Sequence, residues 1–139
     1  MQKILYTDLN SRQKENYNYA KLAAVLADYG FICHRLSDDW QGADFIAQHI
    51  DGETVLKVQL KASLVIDRKY EGKSIYIGFC NRKDGTWYLV PHDEAMLRVL
   101  CGGSAESSRS WQKNGSYTFP RLSQWMKEAL AEFRLSSGS

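Results

Sequence analysis

Residues 44–61, DFIAQHIDGETVLKVQLK, contain two candidate strands on either side of an Asp51-Gly52 pair, and the second of them alternates apolar and polar residues. A period of two is typical of a β-strand, and an Asp-Gly pair between two strands is a strong hairpin signal. The sequence therefore predicts antiparallel strands over residues 44–50 and 53–61. We expect the apolar face of the second strand to pack against a helix. One face carries Val55, Lys57, Gln59 and Lys61, and the other carries Leu56, Val58 and Leu60.

The hairpin creates a candidate site from Asp44, Gln59 and Lys61. Neighbouring strands lie about 5 Å apart, so arms of comparable length should return Asp44 to the side of Gln59 and Lys61. The Asp44 carboxylate, the Gln59 side-chain carbonyl and a backbone carbonyl near Leu60 are oxygen ligands, which hard divalent cations prefer. Lys61 would position a water molecule or stabilise developing negative charge. The alternative is an exposed polar sheet face with a half-buried Asp at a turn.

A helix is predicted over residues 11–29, because apolar residues recur at i, i+3, i+4 and i+7 from Tyr19 onward. Asn10 or Ser11 can cap its start, and Gly30 suits the left-handed residue beyond its end. Glu15 lies one turn before Tyr19, on the side of the apolar stripe. It either faces a polar pocket at the edge of the core or belongs to a solvated first turn, where the helix dipole favours an acid.

The remaining pattern indicates an α/β fold, an α+β sandwich with a central mixed sheet of about five strands flanked by helices. A chain of 139 residues is long enough for one domain. We expect that domain to span residues 1–135, followed by a disordered tail over residues 136–139. Further predicted strands cover residues 31–36, 74–80, 87–90 and 117–119; predicted helices begin at Pro91 and cover residues 120–135; predicted loops cover residues 37–43, 65–73 and 102–116.

Composition excludes some classes of protein. The net charge of +2 and the pI of 8.4 are too small to indicate nucleic-acid binding by themselves. Three cysteines, none close to another in sequence, indicate neither a disulfide framework nor a zinc site and favour a reducing, cytoplasmic location. No signal peptide is expected at the N-terminus, and no apolar stretch approaches the roughly 18 residues of a membrane span.

Local clusters could still form a nucleic-acid surface, although a scattered, solvated set of charges is the alternative. Trp40 could stack on a base or cover the edge of the core. Arg109 and Lys113 flank Trp111 in a Ser- and Gly-rich loop, which mixes charge with an aromatic ring. The other basic residues that could contribute to such a surface are Lys57, Lys61, Arg68, Lys69, Lys73, Arg82 and Lys83.

Residues 30–63, GFICHRLSDDWQGADFIAQHIDGETVLKVQLKAS, resemble the core of the PD-(D/E)XK nucleases. In that core an Asp on one strand pairs with an acidic residue, any residue and Lys on the next. Here Ala43 stands in the place of the Pro and Gln59 in the place of the acid, as in branches with a QxK motif. Residues 15–31, ENYNYAKLAAVLADYGF, resemble the first helix of Holliday-junction-resolvase and Mrr-like branches, where a Glu adds to the metal site. Residues 87–96, WYLVPHDEAM, resemble a segment of homing endonucleases.

The resemblance implies a nuclease that depends on Mg²⁺ or Mn²⁺ and acts as a DNA endonuclease. Asp44, Gln59, the Leu60 carbonyl and Glu15 would hold the metal, and Lys61 would be the catalytic cation. We expect double-stranded or branched DNA as the partner, bound with the help of Lys57, Lys69, Trp40, Arg109 and Lys113, and no membrane. A homodimer is expected, because so small a domain covers little DNA alone.

Two alternatives remain open at this point. The first is a catalytically silent member of the same fold that binds nucleic acid or protein, which the uncharged Gln59 favours. The second is a small α/β adaptor with no role on nucleic acid, which the low net charge favours.

Overall fold

The computed structural model describes residues 1–136 and places strands and helices along most of that length. The N-terminal helix is followed by three strands, a short strand, two long strands and a C-terminal part with little regular structure. The bounds are α1 Ser11–Ala27, β1 Phe31–Trp40, β2 Ala43–His49, β3 Val55–Leu60, β4 Leu64–Asp67, β5 Ile75–Asn81, β6 Thr86–Pro91, α2 His92–Ala95, β7 Ser116–Phe119, α3 Gln124–Ala129 and β8 Arg134–Leu135.

Six of these strands form one mixed sheet in the order β1-β2-β3-β5-β6-β8. The β3–β5 pair is parallel and the other pairs are antiparallel. β4 and β7 form a separate antiparallel ribbon. The predicted fold class is confirmed, with one strand more in the central sheet than the pattern indicated.

The first helix begins where the sequence predicts and ends two residues earlier. The Asn10 side chain accepts a hydrogen bond from the Gln13 backbone N–H at 2.9 Å, and the Gln13 side chain accepts one from the Asn10 N–H. This reciprocal capping box pairs two backbone donors that the first turn would otherwise leave unpaired. Gly30, with φ of +85°, then turns the chain into β1 in a conformation that favours glycine.

The sheet has an apolar cluster on each face. The cluster on the α1 side includes Leu22, Leu26, Phe45 and Val58, so the predicted apolar face of β3 does pack against a helix. The cluster on the opposite face lies under the β4–β7 ribbon, α2 and α3. Because both faces of β5 and β6 are covered, these strands are apolar at consecutive positions instead of alternating.

Several segments differ from the prediction, some through local pairing and others through contact with a distant part of the chain. β1 continues to Trp40, which pairs with Ala43, so the turn is only Gln41-Gly42. The predicted connection over residues 65–73 contains most of β4, and the predicted loop over residues 102–116 contains the π-helical turn Ser110–Asn114. The predicted final helix over residues 120–135 is reduced to α3, because β8 pairs with β6.

The C-terminal end of the described chain contacts the end of α1. The Ser136 backbone N–H donates to the Tyr29 hydroxyl at 2.7 Å. The rest of the predicted tail, residues 137–139, lies outside the described residues. No helix within residues 1–136 is long and apolar enough to cross a bilayer.

Candidate active site

A polar cavity of about 340 Å³ opens where β2 begins, β3 ends and α1 passes alongside. β2 and β3 are antiparallel, so the start of one strand and the end of the other lie at the same edge of the sheet. Four of the five residues proposed for the metal and catalytic roles line this cavity: Glu15, Asp44, Leu60 and Lys61. The other lining residues are Tyr19, Arg35, Leu36, Ser37, Asp38, Asp39, Ala43 and Phe45.

Asp44 is held in place by the neighbouring strand. Its Oδ2 accepts a hydrogen bond from the Leu60 backbone N–H at 2.7 Å. Partial burial against the cavity walls raises the pKa of the Asp44 carboxyl above its ordinary value. The Leu60 hydrogen bond and the charge of Lys61 oppose that rise, whereas the charges of Asp39 and Glu15 add to it. Burial therefore outweighs the hydrogen bond and the cation that favour the charged form of the carboxyl.

Lys61 lines the same cavity, and only its main chain is hydrogen-bonded within the described part of the chain. Its backbone N–H donates to the Gly78 carbonyl at 2.9 Å, which fixes the main chain where β3 ends. Among residues 1–136 its ammonium group forms neither a hydrogen bond nor an ion pair, although its charge acts on Asp44. The ammonium group therefore does not occupy the place of a cation between the carboxylates.

The cavity carries more acids than the hairpin alone suggests. Asp38 and Asp39 lie on the last part of β1, where the sequence predicts a loop, and they join Glu15 and Asp44 in the lining. The two basic lining residues are Lys61 and Arg35, so the lining has an excess of negative charge. Such an acidic cavity attracts a cation and repels a phosphate unless a cation is bound.

Gln59 is placed differently from its expected partners. It is buried, with 4% of its surface exposed, and its Nε2 donates to the Gly42 carbonyl at 3.1 Å. It does not line the cavity that Asp44 and Lys61 share. The period of two predicts that Gln59 and Lys61 lie together, but β3 ends at Leu60, so the alternation does not extend to Lys61.

The residues that line the cavity fit a hard divalent cation. Asp44 and Glu15 supply carboxylate oxygens, and Leu60 supplies main-chain oxygen at the same edge. Within the described chain no three His, Cys, Asp or Glu side chains are gathered closely enough to form a ready-made metal site. Mg²⁺ usually keeps several water ligands and binds through one or two carboxylates, so this donor set suits it.

Two residues proposed for nucleic-acid binding lie together near the β1–β2 turn. The Lys57 ammonium donates to the Gln41 side chain at 2.8 Å and to the Lys73 carbonyl at 2.6 Å. It also lies 5.5 Å from the centre of the Trp40 ring, which is 50% exposed. A cation beside an exposed indole is an arrangement that can contact a nucleic-acid strand.

Lys69, a third residue proposed for nucleic-acid binding, contacts Tyr70 and Asp67. Its ammonium lies 5.0 Å from the centre of the Tyr70 ring and 3.9 Å from the Asp67 carboxylate. The pKa of Lys69 is raised, chiefly by its interaction with Tyr70 and then by Asp67 and Asp39. Asp39 therefore acts electrostatically on both Lys69 and Asp44, although Lys69 does not line the acidic cavity.

Arg109 and Lys113, the other two residues proposed for nucleic-acid binding, lie on the segment around Trp111. Both are exposed, and they flank the buried Trp111, which packs into the core. The Arg68 guanidinium lies 4.8 Å from the centre of the Trp111 ring, so this segment meets the one that contains Lys69. The five predicted nucleic-acid residues thus fall into two neighbouring groups.

Two residues of the cavity carry no functional signal in the sequence. The Tyr19 ring packs edge-on against Phe45 at 5.1 Å, and the Arg35 guanidinium lies 4.7 Å from the centre of the Tyr19 ring. Arg35 also donates to the Asn16 side chain at 2.8 Å. The sequence offers only an apolar stripe for Tyr19 and a strand position for Arg35, and neither pattern indicates a site.

Comparisons with known proteins agree with the fold. The chain matches no protein-family model and no curated protein. The bacterial homing endonuclease I-Ssp6803I is similar in structure, with a TM-score of 0.51 and 13% identity over 90% of this chain and 86% of that one. The Holliday junction resolvase Hjc of Archaeoglobus fulgidus gives a TM-score of 0.45 and 17% identity over 58% of this chain and 75% of that one. The restriction-endonuclease-like fold predicted from the sequence is confirmed by the first of these similarities.

Proposed function

We propose that this protein is a metal-dependent endonuclease that hydrolyses phosphodiester bonds in DNA, with Mg²⁺ or Mn²⁺ as its cofactor. The observation that carries the proposal is one cavity lined by Asp44, Glu15, Leu60 and Lys61. The structural similarity to a homing endonuclease supports it, because that protein is an endonuclease. We place the scissile phosphate at the mouth of this cavity.

Each residue has a distinct task in the proposed reaction. Asp44 and Glu15 hold the cation, and the Leu60 N–H keeps the Asp44 carboxylate in a fixed orientation. The cation would polarise a phosphoryl oxygen and lower the pKa of a bound water. The Lys61 ammonium, which no carboxylate in residues 1–136 engages, orients the attacking water or stabilises the charge that develops at phosphorus.

The DNA is proposed to be double-stranded or branched. We place Lys57, Lys69 and Trp40 along the path of a duplex whose phosphate lies at the cavity; Lys57 and Trp40 lie near the β1–β2 turn. Arg109 and Lys113 would extend the contact along the surface. The affinity should depend steeply on salt, because phosphate contacts release counterions.

Cleavage of supercoiled plasmid in Mg²⁺ or Mn²⁺ tests the proposed activity. We expect nicked or linear products with the natural protein and none with D44A or K61A. K21A is the matched control, because Lys21 is exposed on α1 and does not line the acidic cavity. Cleavage that persists in both D44A and K61A would mean that the activity comes from another site or from a contaminant.

A catalytically silent module of the same fold is the second candidate, and Gln59 is the residue that favours it. Its amide is buried and used for the hydrogen bond to Gly42, so position 59 adds no charged ligand next to Asp44. A calorimetric titration separates the two candidates. Absence of binding at millimolar Mg²⁺ and Mn²⁺ would favour the silent module, whereas binding that D44A abolishes would favour the nuclease.

A further inference from the structure

A second cavity, of about 800 Å³, lies beyond the segment that follows Lys61. Three of its lining residues are cations, Arg82, Lys83 and Arg121, and none is an acid. It therefore has the opposite charge to the cavity around Asp44. We call it the basic cavity.

The two cavities open at the same edge of the sheet. Ala62 and Ser63 follow Lys61 directly, so the chain passes from one cavity lining to the other. Arg82 comes just after β5, which is parallel to β3, and parallel strands end at the same edge. The Arg82 side chain also donates to Asn18 of α1, one turn beyond Glu15.

The basic cavity offers donors that the protein itself leaves unused. Among residues 1–136, the Lys83 and Arg121 side chains form no hydrogen bond or ion pair. The Asn81 Nδ2 group also has no acceptor within this described part of the chain, but it is buried and so is not itself open to a ligand. The unpaired Lys83 and Arg121 cations favour an anion rich in acceptor oxygens, which is the chemistry of a phosphodiester. Phe119 and Leu122 add an apolar wall against which a sugar or base can pack.

We propose that this basic cavity binds a DNA phosphate next to the one that is cut, and so sets the path of the strand across the site. This inference rests on the proposed nuclease function. The acidic cavity repels phosphate until a cation is bound, whereas the basic cavity attracts it at all times. The strand would be captured first by Lys83 and Arg121, with its neighbouring phosphate delivered to Asp44 and Lys61.

Binding of fluorescein-labelled DNA duplex and four-way junction in EDTA tests this inference, with fluorescence anisotropy recorded over a series of salt concentrations. The test variant is K83Q/R121Q. Arg82 is left intact because it has a structural role: its guanidinium lies 3.6 Å from the centre of the Tyr6 ring and links α1 to the N-terminal segment. The control K21Q/R134Q removes the same charge from two exposed residues that line neither the acidic nor the basic cavity. We expect K83Q/R121Q to bind roughly tenfold more weakly, with a salt slope reduced by about 2, and the control to change little.

The outcomes separate this inference from the function on which it rests. If the natural protein binds DNA and K83Q/R121Q binds as the control does, the strand path is wrong while the nuclease proposal stands. If the natural protein binds neither DNA in EDTA, this inference fails, whereas plasmid cleavage in Mg²⁺ or Mn²⁺ still decides the nuclease proposal. One further result would overturn the inference: millimolar inorganic phosphate raises the melting temperature of the natural protein but not of K83Q/R121Q, and the natural protein binds no DNA. That result would indicate a site for a small free anion.

Discussion

Asp44 is a residue whose chemistry depends on several neighbours acting on one carboxyl group. Burial raises its pKa above the ordinary value of 3.8, with Asp39 and Glu15 adding to the rise and Leu60 and Lys61 opposing it. Because the folded state holds the proton more tightly than the unfolded state, this group favours folding at low pH. That contribution is lost as pH rises from 3.8 through the raised value.

We therefore predict that D44N is more stable than the natural protein at neutral pH, by a few tenths of a kcal/mol after allowance for solvent screening. The advantage should vanish below pH 3.8, where the carboxyl is protonated in both states. Urea denaturation of both proteins at several pH values in EDTA measures this difference in stability. For the same reason the affinity of the natural protein for Mn²⁺ should fall as pH drops through the raised pKa. A D44N protein that is less stable at neutral pH would contradict this account.

Gln59 is the residue at which the sequence pattern and the structure differ most. A Glu at this position would supply the missing acid, but it would also place a buried carboxylate against the Gly42 carbonyl, which now accepts from the amide. We predict that Q59E loses about 2 kcal/mol of stability in EDTA, because a hydrogen bond is replaced by two facing acceptors.

Q48E is the matched control for that prediction, because Gln48 is exposed on β2. Its stability should stay within about 0.5 kcal/mol of the natural protein. Recovery of Q59E on addition of Mn²⁺, measured by urea denaturation, would indicate that position 59 reaches the metal. Equal stability of Q59E and Q48E in EDTA would show that the Gly42 contact is unimportant.

At the scale of elements, the β1–β2 turn decides where Asp44 begins its strand. Gln41 and Gly42 both have positive φ, 56° and 93°, as a tight two-residue hairpin turn requires. A Cβ on Gly42 would lie 2.4 Å from the Tyr70 ring, so the turn is also packed against the segment after β4. The same glycine carbonyl accepts from Gln59, so the turn, the segment after β4 and β3 meet at one residue.

We predict that G42A lowers stability by about 2 kcal/mol or more, through both backbone strain and the clash with Tyr70. G52A isolates the first cause, since Gly52 has φ of +75° but no atom lies within 4 Å of the position that a Cβ would take. G52A should therefore cost only about 1 kcal/mol. In G42A/Y70A the extra cost of the clash should be relieved, as measured by urea denaturation. Equal losses in G42A and G52A would argue against the packing role of the turn.

At the scale of the whole molecule, one face of the sheet leaves apolar side chains uncovered. Ile32 and Val55 are 60% and 54% exposed, and both lie opposite Gln48 in the strand ladders. Exposed apolar side chains that neighbour one another on a sheet face can contribute to a contact with another chain. The proposed homodimer would bury them and would place two sites on two DNA strands.

Sedimentation equilibrium tests the homodimer. We predict that the natural protein sediments at twice the chain mass of 15.9 kDa and that I32K/V55K sediments as a monomer. L97K is the control, because Leu97 is 64% exposed on a different part of the surface. A natural protein that remains monomeric at micromolar concentration would rule out a dimer of this kind.

The pairing of β2 with β3, the capping of α1 and the position of the helix-facing apolar stripe follow from the sequence alone. Each depends on residues close together in the chain, where spacing, turn chemistry and caps act directly on the backbone. The meeting of Asp44 with Leu60 and Lys61 belongs to the same class, because a hairpin is a local structure. Glu15 also lines the cavity, as the polar-pocket interpretation of its position requires.

Tertiary structure alone decided the rest. β4 and β8 form because distant strands supply their hydrogen-bond partners. Tertiary packing also turns Gln59 inward onto Gly42 and opens a basic cavity between β5 and the segment before α3. Local spacing predicts which face a side chain takes, but contacts between segments far apart in the chain decide what that face meets.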